Sequence, residues 1–367
     1  AYAKKNEGNE EAKGLLAWMA KNNESIDKWG SDFLADEFTW MKESGRTNRE
    51  DYILKPRDGR GGENGKIFSK EQKDEIYNIF DQYQYELEEN SSFDWADLHE
   101  KTIKYLDEGI EIEKKYDVIL IDEAQHFAPC WMKIITHFLK EDGVLFLCDD
   151  PSQSIYRFFS WKQKGINVIG KTRWLRIPYR NTKQIFEAAF SLIKNDQFAM
   201  NQLTEDKSFN LPDMENTFIR NGPKPHVQVF SDIDDEELFI KQKIEELIKK
   251  NGLRPKEICI FHNKKFVLER YKNYNEKGIN IKDATTQTGM EYSAIFIPQV
   301  QKLLDRSTEY DWLEDSSRQH LLIYMMMTRA KSYLFMTYQQ KWPAVLNSLK
   351  DYVDWFEIEE SKEEIPF

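Results

Sequence analysis

Two short apolar runs end in paired carboxylates, and chemistry is expected there first. Val118-Ile119-Leu120-Ile121 runs into Asp122-Glu123-Ala124-Gln125, and Val144-Leu145-Phe146-Leu147-Cys148 runs into Asp149-Asp150. A hydrophobic strand ending in Asp-Glu suits a nucleotide hydrolase. The first carboxylate can hold a magnesium ion through its water shell, and the second can polarise the attacking water. Asp122 is therefore the candidate Mg2+ residue and Glu123 the candidate base. The second carboxylate pair leads into Pro151-Ser152-Gln153-Ser154-Ile155-Tyr156, and Phe158, Phe159 and Trp161 extend the aromatic stretch.

Three more segments follow in order. They are Leu175-Arg176-Ile177-Pro178-Tyr179-Arg180-Asn181, Thr288-Gly289-Met290-Glu291-Tyr292, and Tyr324-Met325-Met326-Met327-Thr328-Arg329-Ala330-Lys331. Together the five segments resemble motifs II to VI of superfamily 1 helicases of the UvrD/Rep kind. The resemblance implies ATP and Mg2+ as cofactors and single-stranded or partly duplex DNA as partner, with 3′-to-5′ polarity. It implies that Gln153 senses the γ-phosphate, and Gln125 is grouped with the nucleotide contacts. Tyr156, Phe158, Phe159 and Trp161 are expected to face DNA, with Thr285 as a further contact. Tyr179 is expected to stack on adenine and Arg180 to reach the γ-phosphate. Gly289 permits a tight turn, Glu291 holds the ribose hydroxyl, and Arg329 is the arginine finger. Pro178 stands where the family usually has asparagine, Thr285 where it has histidine, and Thr288 where it has lysine.

These residues need a scaffold. Short apolar strands alternating with helical stretches predict buried parallel sheets, whose strand ends carry ligand sites. Strands are expected at 118–121, 144–148, 227–230, 258–261, 294–297 and 333–337, and helices at 131–140, 238–249 and 264–275. Residues before 110 have apolar positions at helical spacing, among them Leu15, Leu16, Trp18 and Met19, then Ile76, Ile79, Phe80 and Tyr83. The expected fold is α/β, with RecA-like motor domains, the first incomplete, and a helical insertion. The expected division is 1–112 for the insertion and remainder of the first motor domain and 113–175 for its C-terminal half. The second motor domain then takes 176–350 and an acidic tail 351–367.

One part of such a motor is missing from the pattern. The phosphate loop, Gly-x-x-x-x-Gly-Lys-Ser/Thr, has a single near match at Arg60-Gly61-Gly62-Glu63-Asn64-Gly65-Lys66-Ile67. Its first glycine is an arginine, its hydroxyl position is an isoleucine, and no apolar strand precedes it. The expectation is an N-terminal motor half supplied in cis or in trans, with this chain inactive alone. The alternative is a catalytically inactive, helicase-like module that binds nucleic acid or regulates. A metal nuclease built on Asp149 and Asp150 lacks the Glu-x-Lys partner common in nuclease cores. A fused or associated nuclease is an expected partner, because the closest look is to compact helicases that carry a nuclease-related domain.

Composition narrows the rest. The net charge of -12 excludes a histone-like coat, although a groove can be basic inside an acidic protein. Cys130, Cys148 and Cys259 form no CxxC pair and are expected as packed, reduced thiols. The six histidines show no zinc spacing. No apolar run approaches the ~20 residues that span a bilayer. A cytoplasmic protein is expected.

Overall fold

The computed structural model describes residues 12–21, 23–57, 68–150, 159–168, 170–173, 179–196, 200, 220–284, 290–304 and 316–356, with backbone alone at 316–318. The chain divides after Thr172 into two compact units.

The first unit begins with helices, as the periodicity predicts. They are α1 (Glu24–Trp29), α2 (Ser31–Glu43), α3 (Arg49–Leu54), α4 (Lys70–Glu89) and α5 (Trp95–Asp107). Side chains start the two longest late ones. Ser69 and Gln72 form a capping box on α4, and Asp94 and Asp97 form one on α5. Ile76, Ile79, Phe80 and Tyr83 face inward from α4 and meet Leu34, Phe38 and Met41 of α2. Lys42 is buried with them. Its ammonium lies 2.6 Å from Asp94 and 2.5 Å from Asp97, so the ion pairs tie α2 to the start of α5.

Strands β1 (Tyr116–Ile121) and β2 (Leu139–Leu147) pair in parallel, with α6 (Pro129–His137) between them. Ile119, Ile121, Leu145 and Leu147 pack with Met132, Ile135, Trp161 and Ile166. The opposite face is open. Val118, Leu120, Val144 and Phe146 are exposed there, and Cys148 follows in the same alternation. The expected burial of all three thiols therefore fails at Cys148, because none of the described residues covers this side of the sheet; Cys130 and Cys259 are buried.

The second unit is built on one parallel sheet of order β5-β4-β6-β7-β3-β8. The strands are β3 (His226–Phe230), β4 (Ile258–His262), β5 (Asn280–Asp283), β6 (Tyr292–Ile297), β7 (Ala330–Gln339) and β8 (Asp354–Phe356). Helices α7 (Lys183–Ile193), α8 (Ile233–Lys249), α9 (Lys265–Glu269), α10 (Val300–Leu303) and α11 (Ser316–Thr328) connect or flank them. β4 is buried throughout and β6 nearly so, as a central strand of a covered parallel sheet must be. The sheet also runs past residue 350. Trp355 of β8 packs on Tyr338 and Trp342, so Asp354–Phe356 is an edge strand, where an acidic tail was expected from 351.

Candidate nucleotide and nucleic-acid site

The first group of site residues sits where β1 ends. Asp122 is exposed, and its Oδ1 accepts from the Glu123 amide at 3.0 Å. Glu123 takes a left-handed backbone, φ 54° and ψ 41°, before a 3-10 turn at Ala124–His126. A non-glycine residue there costs of order 1 kcal/mol and persists only when its surroundings enforce it. Those surroundings are visible. Ala124 N donates to Cys148 O at 2.8 Å, which locks the turn onto the end of β2. The Gln125 carboxamide donates to the Glu123 carboxylate at 2.6 Å and accepts from the Asp150 amide at 3.0 Å. Lys164 is buried behind the turn and donates to Ala124 O at 3.0 Å, with its ammonium 4.5 Å from the Trp161 ring centre. Asp122, Glu123 and Asp150 thus share one end of the small sheet.

These residues suit a magnesium ion held mainly from outside the protein. Among the described residues no group of three or more histidine, cysteine or acidic side chains could hold a metal. Mg2+ usually keeps several waters and binds through one or two carboxylates plus substrate phosphates. The exposed Asp122 matches that requirement.

The second group lies on the second unit, around the amino ends of β6 and β7. Tyr179 is 65 % exposed, a ring available for stacking. Arg180 pairs with Glu291, which also lies 3.3 Å from the Lys331 ammonium. Arg329 is the one residue between α11 and β7, and it is buried, at 2 % exposure. Its carbonyl accepts from the Tyr292 amide at 3.0 Å. Arg220 braces the neighbourhood, donating to Arg180 O at 2.8 Å and to Ser332 Oγ at 2.7 Å.

Comparisons with known proteins find similarity to helicases. The model of the UvrD/REP helicase N-terminal domain family matches residues 26–171. An ATP-dependent helicase/nuclease protein from Carboxydothermus hydrogenoformans is 24 % identical over 250 residues, 66 % of this chain and 21 % of that protein. The ATP-dependent DNA helicase srs2 of Schizosaccharomyces pombe is 26 % identical over 247 residues, 66 % of this chain and 25 % of that protein. Residues 26–171 are thus similar to the N-terminal domain of UvrD/REP helicases. A probable DNA helicase II homologue from Mycoplasma capricolum is 29 % identical over 199 residues, 50 % of this chain and 25 % of that protein. The chain spans about a quarter or less of the length of these three relatives.

Several expected helicase residues sit differently from the expectation. Phe159, expected to face DNA, is buried in the helical cluster and packs there with Cys130 and Ala128. Its ring is unavailable to a base because it completes that core. Trp161 is partly buried against the inner face of the small sheet. Gln125 is also buried, and its amide is engaged at both ends, so it orients Glu123 from behind. Gln153, Tyr156, Phe158, Thr285 and Gly289 lie outside the described residues, as does the Arg60–Ile67 near match to a phosphate loop. Sequence reasoning missed Lys164, Asn181, Arg220 and Lys331. Lys331 and Asn181 lay within quoted motif segments, whereas Lys164 and Arg220 carried no signal.

Proposed function

We propose that the chain is part of an ATP-driven DNA helicase or translocase moving 3′ to 5′. Asp122 holds Mg2+ through water and Glu123 acts as base. Tyr179 stacks on adenine, Arg180 and Arg329 reach phosphate, and Glu291 takes the ribose hydroxyl. The single observation that most supports this is Glu123, held in a strained backbone with its carboxylate aimed by Gln125 beside Asp150. Strain maintained at an exposed acidic turn fits a residue positioned for chemistry better than a solvated loop.

The DNA partner is proposed from the relatives' names, as is an associated nuclease, since the Carboxydothermus relative is named as a helicase/nuclease. The uncovered apolar face of β1 and β2 supports a further partner, an N-terminal motor half that carries the phosphate loop. Parallel sheets are found with both faces covered, and among the described residues this one has only one.

The test is ATPase activity of the chain with and without single-stranded DNA, then with the upstream half added. Activity restored by the added half, and lowered at least about 10³-fold by Arg329→Ala, is the expected result. Unchanged turnover in Arg329→Ala refutes the role given to that residue. A second reading, a helicase-like module that binds without hydrolysis, draws on the burial of Arg329 and the pairing of Arg180 with Glu291. Nucleotide binding with no turnover, in the presence of the added half, would favour it.

A further inference from the structure

Asn181 follows Tyr179 and Arg180 directly and is 5 % exposed. Its carboxamide nitrogen donates twice, to Thr328 O at 2.8 Å and to Ala330 O at 2.7 Å. These carbonyls stand on either side of Arg329. Thr328 ends α11 and Ala330 begins β7, so Arg329 alone makes the change from helix to strand. Its backbone angles set where its side chain points. A carbonyl in the last turn of a helix has no partner within the helix and must find one elsewhere. Asn181 supplies that donor, and a second one across the residue.

The residue type matters. A carboxamide NH2 carries two donors, serine or threonine carries one, and an ionised aspartate carries none. Few other side chains this short can hold two carbonyls at once. The third side of the turn is fixed by Tyr292 N donating to Arg329 O, next to Glu291. Arg220 in turn holds the Arg180 carbonyl, so the backbones of Arg180 and Arg329 are joined through the single residue Asn181.

We propose that Asn181 is the positioning residue for Arg329, aiming its side chain by holding the backbone on both sides of it. The proposal rests on the reading above that Arg329 acts on phosphate. No contact of Asn181 with nucleotide is involved.

Two measurements test it. The first uses this chain and follows hydrogen exchange at the Tyr292 amide, which donates to Arg329 O. Asn181→Ala, with no donor, should raise that exchange at least about tenfold, and Asn181→Ser, with one, should raise it less. Exchange at β4 amides serves as the control for global unfolding and should change less. Unchanged exchange at Tyr292 in Asn181→Ala overturns the proposal. So does an equal rise at β4.

The second uses the ATP-hydrolysing protein with its phosphate-loop half present. Asn181→Ser should lower kcat about tenfold or more with KM within about twofold, and should add nothing in an Arg329→Ala background. A loss that adds fully to that of Arg329→Ala overturns the proposal, as does a KM effect alone. If Arg329→Ala itself leaves turnover unchanged, the functional reading has failed, and the exchange measurement still decides whether Asn181 holds the turn.

Discussion

Leu120→Asp on the open face of the small sheet should leave the chain folded and stop it from docking the N-terminal motor half proposed above. Leu120 is 72 % exposed, and Val118, Val144 and Phe146 around it are 53 %, 58 % and 56 % exposed. Fully burying one such side chain contributes roughly 1.5–3 kcal/mol, so covering what these four still show contributes roughly 4–7 kcal/mol. Leu120 alone accounts for ~1–2 kcal/mol of that. An aspartate there also faces desolvation, so docking should weaken about 100-fold. The free chain loses little, because that side chain is already mostly in water.

Cys148 is a reporter already in place. It is the exposed thiol on this face, whereas Cys130 and Cys259 are buried and burial pushes the Cys259 thiol up. Thiolates react and thiols do not, so Cys259 is slow for two reasons. A thiol-labelling time course on the free chain should show one fast cysteine and two slow ones. Adding the N-terminal half should slow the fast one, and Leu120→Asp should restore its rate. Three results would refute the reasoning. They are a large fall in the melting temperature of the free Leu120→Asp chain, slow labelling of Cys148 without a partner, or protection that survives the substitution.

Three further outcomes follow from buried polar groups. Lys42→Met strands two mostly buried carboxylates, Asp94 and Asp97, and should cost about 3–5 kcal/mol in urea unfolding; a loss below about 1 kcal/mol would mean the pair is not as buried as described. Lys164→Met removes the donor behind the Asp122–Glu123 turn and should lower ATP turnover about tenfold or more while the melting temperature changes little; equal losses of both would make Lys164 a packing residue only. Burial pushes the His262 imidazole down to about 3, so it stays neutral in the folded chain while the unfolded chain takes up a proton near pH 6.5. Its contribution is therefore present above about pH 6.5 and is lost as pH falls, by at most about 1.4 kcal/mol per pH unit. Buried Glu236, whose carboxyl is raised, acts in the opposite direction, so the comparison to make is wild type against His262→Gln. Parallel stability curves between pH 6.5 and 5 would contradict the sign.

Continuous apolar runs made most of the scaffold legible. β1, β3, β4 and β6 appear near where valine, isoleucine and phenylalanine cluster, β7 at the apolar run Tyr333-Leu334-Phe335-Met336, and α4 where Ile76, Ile79, Phe80 and Tyr83 recur. β5 and β8 were not legible. Asn280-Ile281-Lys282-Asp283 and Asp354-Trp355-Phe356 have no strand pattern of their own and are strands because β4 and β3 offer them an edge. β2 starts earlier than its apolar run, at Leu139, through a register shift that no propensity signals. Within the site, acidic strand ends could be read from sequence, since type and position coincide. What holds them could not. Lys164 reaches Ala124 across 40 residues and Asn181 reaches Ala330 across 149, and such pairings exist only once the chain is folded. Phe159 shows the converse error, an aromatic read as a base contact because its neighbours suggested one, when the helical core needed its ring.

The cations of the second unit differ in how easily they can be released. The side chain of Arg180 is 52 % exposed and that of Lys331 40 %, both turned to one carboxylate, Glu291. Exposed ion pairs of this kind contribute at most about 1 kcal/mol, so a phosphate can draw Arg180 away at little cost. When it does, Lys331 still balances Glu291, and the carboxylate is freed for a neutral partner such as a hydroxyl. Arg329 is different, since its side chain must leave a buried position and its backbone is held on three sides. Arg180 should therefore respond to nucleotide first and Arg329 second.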